Sequence, residues 1–94
     1  MVIGVCTIEL YLPTVHSLKE KRSIVKSVVN RVRNEFNVSI AEVDRQDAWQ
    51  SAIIGVASVS NDTAYTHGQL TKVVAWIENQ RLDAELVNYH IEML

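Results

Sequence analysis

The chain has 94 residues, 48% of them hydrophobic and 21% charged, and nine Lys and Arg against eleven Asp and Glu give a formal charge of −2. This describes one small domain over residues 1–94, too apolar for a disordered segment and, with three Gly and one Pro, unlike a low-complexity or collagen-like chain. The single cysteine, Cys6, excludes an internal disulfide, a Cys-x-x-Cys pair and a thiolate zinc or iron–sulfur site, which fits a reducing, cytoplasmic setting.

Residues 2–12 come first. Val2, Cys6, Ile8, Leu10 and Leu12 fall on one face and Thr7, Glu9 and Tyr11 on the other, the alternation of a half-buried strand. No basic segment precedes this run and no apolar stretch reaches the about 18 residues of a membrane span, so neither a signal peptide nor a span is expected. Pro13 ends the strand, and Ser17 followed by Glu20 is the reciprocal capping box of a helix start. From Leu18 onward, Ile24, Val25, Val28, Val29, Val32 and Phe36 gather on one side of a helix that ends near Phe36. Residues 37–44 read as a second strand, with a bulge or twist expected near Ala41 because the alternation of Val38, Ile40 and Val43 breaks there.

The polar segment 45–51 joins this strand to a third, residues 52–60, as a hairpin. Trp49 lies in that loop, and its indole is expected to fold back as a local lid, with contact to a partner as the other reading. Asn61 and Asp62 are N-cap residues for a second helix, on which Leu70, Val73, Val74 and Ile77 recur at helical spacing until about Gln80. Residues 84–94 close the chain as a strand, with Val87, Tyr89, Ile91 and Met93 set against Glu85, Asn88, His90 and Glu92. The order is βαββαβ. It predicts an α+β, ferredoxin-like sandwich: a four-stranded antiparallel sheet with two helices on one face.

That fold hosts unrelated functions, so function has to come from sites. Residues 52–59 hold no aromatic side chain, which argues against base stacking on the third strand in the manner of an RNA-recognition domain. The loop 13–17 lacks the Arg an acylphosphatase-like enzyme would use to cradle phosphate. His16, His67 and His90 show no ligand spacing, so no metal or cofactor is expected. Cys6 reads as a small buried apolar residue. No catalytic constellation is present, and a non-enzymatic role is expected.

Charge is the more informative signal. Residues 17–36 hold six cations and two acids, a local +4, while the other 74 residues hold three cations and nine acids. Lys19, Arg22, Lys26, Asn30 and Arg33 project within about 80° of one another, one stripe beside the apolar face. Such a stripe is the footprint of a phosphate-backbone contact, or else a solvated helix face balanced by acidic strands. Tyr65, Gln69, Lys72 and Trp76 share one side of the second helix. Packing over the sheet edge is the first reading of that group, with base stacking or a protein anchor as the others.

Four blocks in order carry a resemblance: Ser17-Leu-Lys-Glu-Lys-Arg22, residues 36–44 from Phe36 to Asp44, the loop Gln46-Asp-Ala-Trp-Gln50, and residues 55–62 from Gly55 to Asp62. Together they resemble the YlxP-like family, small bacterial proteins whose function is unassigned. The resemblance implies a ferredoxin-like fold and a genomic setting among translation and ribosome-maturation genes. It therefore implies a ribosome-associated factor, acting in small-subunit maturation with ribosomal RNA or the small subunit as partner. On that reading Lys19, Lys21, Arg22, Lys26 and Arg33 meet RNA, while Asp44, Gln46, Asp47, Trp49 and Gln50 form a signature loop that either works or holds the fold. A pairing of Lys19 or Arg22 with Asp44 or Asp47 would make it structural. The alternative is a homo-oligomeric interaction module, a homodimer through the helix-free sheet face where Ile3, Val5 and Tyr11 leave apolar surface.

Overall fold

A computed structural model describes residues 1–80 and 83–94. The elements run β1 (Val2–Tyr11), α1 (Leu18–Glu35), β2 (Ser39–Asp44), β3 (Ser51–Ser60), α2 (Thr63–Asn79) and β4 (Glu85–Met93). The sheet order is β2-β3-β1-β4, with every neighbouring pair antiparallel. This is the ferredoxin-like α+β sandwich. β1 and β3 form the centre, paired over ten residues from Val2 opposite Ser60 to Tyr11 opposite Ser51.

Alternation drives one sheet face into the core. Cys6, Ile8 and Leu10 from β1 and Ala52, Ile54 and Val56 from β3 are buried, and they meet Val25, Val28 and Val32 of α1 and Leu70, Val73, Val74 and Ile77 of α2. Leu18, Ile24, Val29 and Phe36, expected on the same side of α1, flank that seam half-buried. Gly4 lets α2 approach the sheet: a Cβ there would lie 2.7 Å from Thr66 Cγ2 and 2.9 Å from Leu70 Cδ1. Burial pushes the Cys6 thiol up to about 11, against a hydrogen bond with the His90 backbone that lowers it.

Three local expectations need correction. The Ser17 hydroxyl accepts from the Glu20 amide at 3.1 Å, but Glu20 reaches back to the His16 amide at 3.3 Å rather than to Ser17. The irregularity in β2 lies between Glu42 and Asp44, not at Ala41, and leaves Val43 unpaired with its side chain over Gly55, where a Cβ would sit 2.9 Å from Val43 Cγ1. In β4 the register shifts opposite Glu9 and Leu10, so Leu86 takes the place opposite Leu10 and Val87 is extruded, half exposed. A bulge restores alternation only after the extra residue, which is why a simple period-two reading placed Val87 inward.

Candidate nucleic-acid interface

Helix α1 starts at the Ser17 cap, and its inward stripe runs Lys21, Val25, Val28 and Val32. Lys21 therefore occupies the first turn of the apolar seam, and it is fully buried. Its Nζ lies 2.8 Å from Glu42 Oε2 and donates to the Arg45 carbonyl oxygen. A buried ammonium needs this kind of partnership, because leaving one charge unpaired away from water is strongly unfavourable. Lys21 is thus removed from the RNA-facing set. Its ammonium clamps α1 to the end of β2 instead.

Arg45 is the centre of the clamp. It is the one described non-glycine residue with positive φ, 60°, and its amide donates to Asp44 Oδ1 at 2.7 Å. Asp tolerates and supports such a turn because its short side chain bonds the local backbone. The Arg45 guanidinium reaches Glu9 Oε2 at 2.5 Å and Ser51 Oγ at 2.7 Å, tying the hairpin turn to β1 and β3. Its carbonyl also accepts from the Ala48 amide. Gln50 donates through Nε2 to the Pro13 and Val15 carbonyls at 3.1 and 3.3 Å, and its own carbonyl accepts from the Leu12 amide. Asp44 and Gln50 in the signature loop therefore hold the fold. Gln46 and Asp47 stand exposed in the turn, and Trp49 does so as well, 53% exposed and not a lid.

The remaining cations of α1 lie outside. Lys19, Arg22, Lys26, Arg31 and Arg33 are all exposed, and among the described residues only Lys21 and Arg45 of the Lys and Arg side chains are in ion pairs. The anticipated pairing of Lys19 or Arg22 with Asp44 or Asp47 is therefore absent among the described residues. Arg33 differs from its neighbours: Nη2 donates at 3.0 Å to the carbonyl of Ile40 on the edge strand β2. Its other donors remain for a partner. With Lys21 and Glu42 neutralising each other in the interior, the exposed surface keeps five cations against Glu20 and Glu35 on α1, while the other exposed acids lie elsewhere on the fold.

Sequence reasoning missed Glu42 and Arg45. Glu42 carried no signal of its own, but the i, i+4, i+7, i+11 spacing of Lys21 with Val25, Val28 and Val32 already placed a lysine on the apolar stripe. On α2, Tyr65 is 60% exposed, Gln69 accepts from the Ser58 hydroxyl at 2.5 Å, and Trp76 packs edge-on against Phe36 with ring centroids 6.3 Å apart. The group splits: Trp76 packs, against Phe36 at the end of α1 rather than over the sheet edge, and Tyr65 stands exposed.

No described helix is long and apolar enough to cross a membrane. The profile of a family described as "Protein of unknown function (DUF503)" matches residues 3–91. The chain is also 42% identical over 77 residues, 82% of its own length and 84% of the relative's, to an uncharacterized protein, YlxP, of Bacillus subtilis (strain 168).

Proposed function

The chain belongs to the DUF503 family, whose members include YlxP-like proteins, and we propose that it is a non-enzymatic, cytoplasmic, ribosome-associated factor. Its exposed α1 surface contacts structured RNA during maturation of the small subunit. The observation that carries this reading is the row Lys19, Arg22 and Lys26, exposed and without acidic partners among the described residues, with the outward donors of Arg33 continuing it. Cations left unpaired on a rigid helix are free to replace the counterions of a phosphate backbone, and that exchange drives sequence-independent affinity. Clamping of α1 by Lys21, Glu42 and Arg45 holds the row in place, so little ordering is needed on binding.

Co-sedimentation with purified small ribosomal subunits tests it. Lys19→Glu/Arg22→Glu/Lys26→Glu, with Arg33 kept for its bond to β2, should lose binding while its thermal midpoint stays close to wild type. Undiminished co-sedimentation of that variant overturns the reading. A second reading, self-association as a homodimer, is favoured by the open sheet face, where Ile3, Val5, Ile53 and Ala57 are half-buried and Val43 and Val59 are 54% and 61% exposed. Sedimentation equilibrium separates the two: a monomer at high concentration removes the dimer without touching the RNA reading.

A further inference from the structure

We infer that the cleft between the C-terminal end of α1 and the outer face of α2 is a binding site for a nucleotide, a planar base with its phosphate beside it. The cleft has a volume of about 370 Å³ and is lined by Phe36, Ala64, Tyr65, Gly68, Gln69 and Lys72. That volume falls toward the lower end of small-ligand pockets, about 300–1,000 Å³. Reading it as part of an RNA contact rests on the proposal above; the chemistry of ring and phosphate does not.

Three features converge on this ligand. Tyr65 presents an aromatic ring 60% exposed, and Phe36, fixed by its edge-on contact with Trp76, provides a second ring in the same cleft. An exposed ring such as Tyr65, backed by the half-buried Phe36, stacks bases of any identity, because every base has a π-face. Lys72 adds an exposed ammonium that has no acidic partner among the described residues, suited to the phosphate. Gln69 is held at Oε1 by Ser58, which leaves its amide –NH₂ to donate to a base edge.

Gly68 is the most telling residue. Glycine inside a helix costs stability relative to alanine. At Gly4 the absence of a side chain has a packing reason, since Thr66 and Leu70 already occupy the space. At Gly68 a Cβ would meet nothing within 4 Å. The interior does not require this glycine, and its effect is to keep the floor of the cleft open beside Tyr65. The larger hollow at the β2 edge, about 460 Å³ beside Arg33, has no aromatic lining.

The test uses a short single-stranded RNA carrying one 2-aminopurine, and free AMP, each titrated into the intact protein with fluorescence and amide NMR as readouts. Stacking should quench the probe and shift the amides of residues 64–72. Tyr65→Ala should weaken binding about tenfold or more, Tyr65→Phe should retain it, and Gly68→Leu should block it while melting cooperatively. Shifts with both probes support a nucleotide site that needs no strand, and shifts with the strand alone support RNA as the source. Absence of shifts at 64–72 with either probe, or wild-type affinity in Tyr65→Ala, overturns the proposal. If the α1 charge reversal leaves subunit binding intact while Tyr65→Ala abolishes quenching, the α1 reading fails and the cleft stands. The converse pattern removes the cleft alone.

Discussion

At the scale of single residues, the side chain that matters most is a lysine with no access to solvent. Removing one partner of a buried ion pair leaves the other charge uncompensated, a loss of about 3–5 kcal/mol in general. The Glu42 side chain retains 16% exposure, so Lys21→Met should cost about 3 kcal/mol in urea unfolding. Lys19→Met should stay within about 0.5 kcal/mol. Lys21→Met/Glu42→Leu should recover much of the loss, because apolar replacement of a buried pair is often near neutral. Equal effects of Lys19→Met and Lys21→Met would contradict the clamp.

Gly4 and Gly68 differ in sign. Gly4→Ala forces a methyl into Thr66 and Leu70 and should destabilise by about 1–3 kcal/mol. Gly68→Ala should raise stability by about 0.5–1 kcal/mol, since only helix propensity changes. Thermal melts of both variants decide it. Cys6 makes a pH prediction. Its folded value of about 11 lies above the ordinary 9.0, so the neutral thiol stabilises the fold fully below pH 9, and that contribution is lost as pH rises towards 11. The stability advantage of wild type over Cys6→Ala should therefore narrow between pH 9 and 11. An advantage that is constant across that window would show the thiol not to be desolvated.

At the scale of elements, β2 is short and lies at the sheet edge. Edge strands expose unpaired backbone groups and need protection. Arg33 occupies the Ile40 carbonyl and Lys21 holds Glu42. Arg33→Ala should speed amide exchange across residues 39–44 while leaving β1 and β3 unchanged; uniform exchange rates would assign Arg33 to the solvent alone. The order of elements and the cap of α1 were readable in the sequence, because alternation, helical spacing and the Ser17 cap are local signals. The broken alternation of β2 signalled an irregularity there, but neither its place at Val43 nor the bulge at Val87 was readable, because an extra residue in one strand is located only by its partner's register. Lys21 was misplaced for a related reason. Its helical spacing puts it on the apolar stripe, but the acid and carbonyl that let an ammonium stay there lie 21 and 24 residues away.

At the scale of the whole molecule, the fold separates two kinds of cation. Lys21 and Arg45 are used internally, against Glu42 and Glu9. Lys19, Arg22, Lys26 and Arg31 are left to solvent, on a protein whose formal charge is −2. On the RNA reading proposed above, this division concentrates attraction on α1, with Lys72 of α2 the other exposed cation outside an ion pair among the described residues. Lys21 holds α1 to the β2–β3 hairpin through Glu42 and the Arg45 carbonyl, Gln50 ties the hairpin to the segment before α1, and Lys19 and Arg22 on the same helix face outward.

The salt dependence of binding to small-subunit ribosomal RNA tests this division most directly. Each phosphate contact contributes about −0.7 to −0.9 to the slope of log affinity against log salt. The account predicts that Lys19→Glu/Arg22→Glu/Lys26→Glu flattens the wild-type slope by about 2–3 with the fold intact. A slope and affinity identical to wild type would contradict it and leave α1 a solvated face.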